Sequence, residues 1–220
     1  MDGLILFPVD PSDEFWSELT ESLAVVSIGD ALPGHGAAGE VLFDNRSGVR
    51  CALEHLHALG HRRIAVLRPP GSPTNDRPAE VYVGSEADRL GLDVRVVSAP
   101  YELDEATDVA RAVLTVEHRP TAAFCFSDSI AYGVYAAARE LGLSIPGDLS
   151  VIGYDDHPVS ILLAPPLTSF SWDAERLVEV AVGMVLGAID GHPRRRRRVV
   201  IEPALRERSS TAPRLTQRTR

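Results

Sequence analysis

Short apolar runs alternate with polar segments that carry apolar residues at helical spacing, from one end of this chain to the other. Leu4–Phe7 is an apolar run stopped by Pro8, and Ala24–Ile28 is a second such run. Between them, Asp13–Leu23 is polar with Phe15, Leu19 and Leu23 three to four residues apart, which predicts a helix. Glu40–Phe43 reads as extended, and Ser47–Leu59 as a helix closed by Gly60, an ordinary C-terminal stop. Arg63–Leu67, Val94–Ser98, Ala122–Phe126 and Leu149–Tyr154 read as strands. Helices at about Pro78–Leu90, Asp104–Glu117 and Ser129–Leu141 separate them. The last third gives an extended Thr168–Ser171, a helix Ala174–Ile189 and a strand Val199–Ile201. Strands alternating with helices predict an α/β fold built on parallel sheets. No internal repeat is present, and the Pro/Ser/Arg-rich end after Ser209 reads as disordered.

Composition changes this picture only in part. With 220 residues, 45% of them hydrophobic, the chain can bury a core in one large or two small domains. The net charge of −9 is unevenly spread: Arg194–Arg220 holds ten arginines against two glutamates, +8, so the rest carries −17. An acidic body is a poor partner for phosphate backbones. Two cysteines, Cys51 and Cys125, give neither a disulfide framework nor metal spacing, and point to unpaired thiols in the reduced cytosol. No apolar run reaches membrane-spanning length, and Met1-Asp2-Gly3 does not open a signal peptide. A cytoplasmic protein with no membrane contact is the expectation.

The most informative segment is Val151-Ile152-Gly153-Tyr154-Asp155-Asp156, a short apolar strand ending abruptly in two carboxylates. In an α/β sheet, ligands bind just past the carboxyl ends of the strands. A carboxylate there can accept two hydrogen bonds from neighbouring ligand hydroxyls. The segment belongs to a longer string, from Gly142-Leu143 through Pro146-Gly147-Asp148-Leu149-Ser150 to Pro165-Pro166-Leu167-Thr168. Other short matches stand in order around it: Asp2-Gly3-Leu4-Ile5-Leu6, Asp44-Asn45, His55-Leu56, Leu59-Gly60-His61-Arg62-Arg63-Ile64-Ala65, Pro120-Thr121-Ala122, Ser127-Asp128, Ala131-Tyr132-Gly133, and Leu205 to Arg208-Ser209-Ser210-Thr211. Any one of these is weak, but so many in order are a strong signal. Over nearly its whole length the chain resembles the regulatory domain of the lactose/galactose repressor (LacI/GalR) family.

That resemblance implies a two-lobed, periplasmic-binding-protein-like (type I) fold, with a small polar effector, most often a sugar, in the cleft. It places the three crossovers near Asp44, Trp172 and Val199. Residues 1–43 with 172–198 would then form an incomplete N-terminal lobe. Residues 44–171 with 199–211 would form the C-terminal lobe, and 212–220 a disordered tail. It also implies a homodimer, no cofactor, no metal and no enzymatic activity. In the family, a helix-turn-helix headpiece, a hinge helix and two strand–helix units come before the position of Met1. The expectation is therefore a chain that starts at the third strand of the first lobe. It would be a fragment, a late-started reading frame or a natural headless form, with a sheet edge left open to aggregation. Operator DNA would be bound only through the headpiece.

The candidate effector-binding residues are Arg77, Asp155, Ser127, Asp128, Tyr101, Phe126, Trp172 and Phe43. Arg77 follows the Gly/Pro/Ser/Asn-rich stretch Pro69–Asp76 and matches the family arginine that reaches the effector. A guanidinium presents five donors in a fixed fork, suited to sugar hydroxyls or a carboxylate. The family usually has Gly and an aromatic soon after, where Glu80 and Val81 stand here, so a solvated helix-start arginine is the competing reading. Asp155 is the leading residue, its alternative being a helix or turn cap. Asp156 fits that cap role better. Asp156 and His157 complete an Asp-Asp-His cluster, but adjacent residues rarely converge on one metal ion without partners elsewhere. Asp128 is explained by N-capping alone, and by resemblance both Ser127 and Asp128 face the cleft. Phe124 and Phe126 share one strand face, one closing the pocket and the other in the core. Tyr101 falls where the family often stacks an aromatic on the ligand. Trp172 and Phe43 flank crossovers, as ligand contacts or as hinge packing.

Two tempting motifs read as loops. Gly34-His35-Gly36-Ala37-Ala38-Gly39 spells a dinucleotide fingerprint, but an extended segment follows it rather than a helix. Arg194–Arg198 has no aromatic interleaving and no recognition helix, so a solvated loop is expected. The leading function is the effector-binding and dimerisation portion of a transcriptional repressor. A solute-binding protein of a sugar ABC transporter shares the fold but needs a secretion signal. A small α/β enzyme would need a convergent nucleophile, base or metal set, and none is present.

Overall fold

A computed structural model describes residues 2–7, 13–29, 39–70, 79–190 and 197–214. The chain divides into two compact units, each with its own sheet. The first contains β1 (Gly3–Leu6), α1 (Asp13–Ser22), β2 (Ala24–Gly29), β3 (Gly39–Phe43), α6 (Ala174–Ile189) and β9 (Arg197–Ile201). Its strands lie in the order β1-β2-β3-β9, and every pair is parallel. β2 is buried at all six positions, as expected of a central parallel strand of alternating-face Val, Ile and small residues. α6 lays Leu177, Ala181 and Met184, spaced i, i+4, i+7, onto a core with Val26, Ile28, Val41 and Ile201. Gly39 leaves the room this needs, because a Cβ there would lie 2.4 Å from the Met184 sulfur.

The second unit contains α2 (Asn45–Ala58) from Arg46 on, β4 (Arg63–Arg68), α3 (Ala79–Leu90) from Glu80 on, β5 (Asp93–Ser98), α4 (Leu103–Leu114), β6 (Ala122–Cys125), α5 (Asp128–Glu140), β7 (Ser150–Tyr154), a 3-10 turn (Pro158–Leu162), β8 (Thr168–Ser171) and β10 (Ala204–Arg206). The sheet order is β10-β8-β7-β6-β4-β5, parallel throughout except for β10 on β8. α4 and α5 pack on one face, over Ala65, Leu67, Ala123, Cys125 and Val151. They approach so closely that a Cβ on Gly133 would come within 2.7 Å of the Ala106 carbonyl carbon. Since side chains alternate along a strand, Phe124 and Ile152 point to the opposite face. There Gly48 of α2 admits the Tyr154 ring: a Cβ at Gly48 would lie 2.3 Å from its hydroxyl.

Several expectations are corrected. Val199–Ile201 does not join the second unit: Arg197–Ile201 is paired along the whole of β3, so the third crossover falls at Pro203–Ala204. For the same reason Arg197 and Arg198 are strand residues rather than loop residues, and Arg198 forms an ion pair of 3.0 Å with the fully buried Glu40. The rest of the arginine run and the Gly34–Ala38 stretch lie outside the described residues. α4 ends at Leu114, three residues before the expected Glu117. The tail is not disordered from residue 212: the backbone of Ala212 bonds to Ser150 Oγ, and the Arg214 N–H donates to the Leu59 carbonyl at 2.8 Å. This strap runs under the amino ends of the central strands. Ser210 bridges Val151 and Thr168, the buried His61 meets Thr121, Ser150 and Ala212, and His55 meets Thr211. Burial lowers the pKa of both histidines below its ordinary value. Both cysteines are unpaired, Cys51 exposed and Cys125 buried.

Candidate functional site

β4 lies mid-sheet with β5 on one side and β6 on the other, so successive crossovers leave it in opposite directions. That is a topological switch point, and the residues just past the carboxyl ends of the neighbouring strands are where such sheets hold ligands. They include Phe126 and Ser127 after β6, and Asp155 after β7. Pro69 and Pro70 follow β4 at the same edge, and Arg77 lies outside the described residues.

Asp155 is exposed, its N–H donates to the Phe170 carbonyl at 2.9 Å, and its φ is 105°. Asp156 follows at φ 50°. Two consecutive non-glycine residues in the left-handed region are uncommon, and such strain gathers where surrounding structure holds a residue in place for a purpose. Asp156 is not the cap it was expected to be. Its carboxylate takes Arg208 Nη2 at 2.5 Å, and Arg208 Nη1 donates to the Leu167 carbonyl. His157 caps the 3-10 turn instead, its Nδ1 accepting from the Val159 N–H at 3.3 Å. The Asp-Asp-His run therefore diverges into three separate environments.

Ser127 rather than Asp128 caps α5: it is extended at φ −160° and its Oγ accepts from the Ser129 N–H at 3.2 Å. Asp128 opens the first turn, is 1% exposed, and points into the protein. Its Oδ1 accepts from Ser169 Oγ at 2.5 Å, and its Oδ2 accepts from Ser160 Oγ at 2.5 Å and from the His157 N–H at 2.8 Å. Burial pushes its pKa up, and these donors hold it down against that. The Gly153 of the motif exists for this carboxylate. A Cβ there would lie 2.1 Å from Asp128 Oδ1 and 2.9 Å from Leu167 Cδ2.

The aromatic residues separate by unit. Phe124 is fully buried and Phe126 only half-buried, so Phe124 is core and Phe126 the ring nearer the edge. They join Tyr154 and Phe170 in a cluster of centroid distances from 4.8 to 6.4 Å. Tyr101, 51% exposed, sits on the loop beyond β5. Phe43 and Trp172 belong to the first unit, where their rings meet at 4.4 Å and pack on the α6 core. Phe126, Ser127, Asp128 and Asp155 thus share one sheet edge, and Phe43 and Trp172 are a pair of their own. Gly153, Ser160 and Ser169 were not singled out from sequence. They matter only through Asp128, and no spacing rule links position 128 to 153, 160 and 169.

Residues 53–211 match a family model described as the periplasmic binding protein-like domain. The chain is 35% identical over 176 residues to the Streptomyces coelicolor protein named HTH-type transcriptional regulator MalR, covering 77% of this chain and 51% of that one. It is 29% identical over 216 residues to the ribose operon repressor of Escherichia coli (strain K12), covering 96% and 65%. A crystal structure of a LacI family transcriptional regulator from Arthrobacter sp. FB24, in complex with lactose, matches with a TM-score of 0.85. It is 25% identical, with 96% of this chain and 79% of that chain covered. The chain spans about half to two thirds of the length of the curated relatives it matches.

Proposed function

Because the chain belongs to the periplasmic-binding-protein-like family, among the LacI-type regulators, we propose that it is the effector-binding portion of a transcriptional repressor and that its effector is a sugar. The observation that carries this reading is Asp155. It is an exposed carboxylate at the carboxyl end of a parallel strand, beside the switch point, in a left-handed conformation fixed by its neighbours. An ionised carboxylate accepts from two adjacent hydroxyls at once, which is what a sugar presents. The half-buried Phe126 supplies an apolar ring at the same edge. Effector binding shifts a conformational equilibrium that a DNA-binding portion reads; operator contact and homodimerisation belong to the whole protein. By the resemblance to the family, Arg77 adds a guanidinium donor to the effector and Tyr101 an aromatic contact.

The regulator reading is favoured over a transporter solute-binding protein or an enzyme because the curated relatives quoted above are transcriptional regulators. No described helix is long and apolar enough to cross a membrane. A thermal-shift screen against pentoses, hexoses and disaccharides tests the proposal, since a ligand that binds only the native state raises Tm. One or more sugars should raise it in a saturable way; no response to any sugar, with a response to another class of metabolite, contradicts it.

A further inference from the structure

We propose that Asp128 is a positioning residue, which does not touch the effector but holds the Asp155–His157 turn so that Asp155 can. The inference rests on the effector-binding reading and gives a different role to a residue that sequence placed in the site itself. The turn leaves β7 with two left-handed residues in succession, a conformation that costs energy and needs external support. Asp128 supplies it at two points. Directly, its Oδ2 accepts the His157 N–H at 2.8 Å. Through a relay, its Oδ1 accepts the Ser169 hydroxyl proton at 2.5 Å, which leaves the Ser169 oxygen free to accept the Asp156 N–H at 3.2 Å.

The same carboxylate ties down the segment that follows. Ser160 spends its proton on Oδ2, so across the 3.0 Å contact with Tyr132 it is the tyrosine that donates to Ser160. The Ser160 carbonyl in turn accepts the Leu167 N–H at 2.9 Å, at the entrance to β8. One buried acceptor thus fixes the backbone on both sides of the 3-10 turn, and the missing Cβ of Gly153 gives it the space. Both carboxylate oxygens are occupied by protein donors and the side chain is almost fully buried. Asp155, by contrast, is exposed to solvent.

The test has two arms. The first measures amide hydrogen exchange by NMR on the effector-free protein, comparing wild type with Asp128→Asn. The amide is the same size but offers one acceptor oxygen instead of two. Burial already disfavours the charged form of Asp128, so the uncharged variant should keep its global fold. Ser169→Ala, which cuts only the relay, is the second variant should Asp128→Asn fail to fold. The expected result is exchange faster by roughly tenfold or more at one or both of Asp156 and His157 in Asp128→Asn, according to which oxygen the amide nitrogen replaces, and at Asp156 in Ser169→Ala, with Ile64–Leu67 of β4 unchanged. Unchanged exchange at Asp156 and His157, or equal acceleration in β4, overturns the proposal in favour of a purely structural carboxylate.

The second arm titrates lactose and ribose calorimetrically into the same proteins. Weaker sugar uptake by Asp128→Asn, with β4 protection intact, supports positioning; equal uptake overturns it. Uptake of neither sugar by the wild type counts against the sugar reading alone, and the exchange arm still decides whether Asp128 holds the turn.

Discussion

Replacing Gly153 by alanine separates the packing account from intrinsic propensity, because the two predict opposite signs. Gly153 is not among the glycines with positive φ, so alanine fits the backbone. In a strand interior, alanine should be favoured over glycine by about 0.5–1 kcal/mol. The neighbours reverse this. The new Cβ would sit 2.1 Å from Asp128 Oδ1, 3.2 Å from its Cγ and 2.9 Å from Leu167 Cδ2. Leu167 could rotate, but the carboxylate cannot retreat without giving up Ser169, Ser160 or the His157 N–H. Each hydrogen bond to a charged group is worth about 1.5–3 kcal/mol, and overpacking adds about 1–3 kcal/mol. Loss of one bond together with the overpacking, less the propensity gain, leaves Gly153→Ala less stable by roughly 2–6 kcal/mol. Thermal unfolding followed by circular dichroism should show Tm lower by about 5–20 °C, at about 2–4 °C per kcal/mol for a chain of this size. An equal or higher Tm would refute the claim that the glycine makes room for Asp128.

The buried His61 and the half-buried His55 give stability a pH dependence of definite sign. Their folded pKa lies below the ordinary value of 6.5, so the unfolded chain takes up protons first as pH falls. The contribution is present above pH 6.5 and lost below it, by at most about 1.4 kcal/mol per pH unit per histidine. Urea midpoints should fall between pH 7.5 and 5, less steeply in His61→Gln; an identical slope in that variant would remove His61 from the account. For the thiols, one cysteine should react with a water-soluble reagent in the native protein and the second only on unfolding. Cys125 is fully buried, and burial raises its pKa well above the ordinary thiol range, while Cys51 is exposed. Two fast thiols under native conditions would contradict the packing of β6.

Much of the fold was legible because burial imposes a period on sequence. The Ala174–Ile189 helix and the Thr168–Ser171 strand have the ends expected from their apolar spacing. β10 and the 3-10 turn escaped for the same reason: Ala204–Arg206 and Pro158–Leu162 are too short for a period to show. The strand Arg197–Ile201 opens with charged residues, and only pairing along β3, with Glu40 waiting for Arg198, makes them extended. At the site, Asp155 was legible from its place after an apolar run. Ser127 takes the capping role expected of Asp128, and Asp128 turns inward, because capping depends on which side chain turns back on the helix. That choice was made by Ser160, Ser169 and the His157 N–H, which lie 29 to 41 residues away.

The central claim is that Asp155 accepts hydrogen bonds from a sugar effector. Calorimetric titration of wild type and Asp155→Ala, with a sugar that raises the wild-type Tm, tests it most directly. The account predicts binding weaker by about 1.5–3 kcal/mol in the variant, a roughly tenfold to more than hundredfold higher Kd, with the effector-free Tm nearly unchanged. Equal affinities, with a Tm lowered as for the loss of a cap worth about 1 kcal/mol, would return Asp155 to a structural role and contradict the assignment of the site.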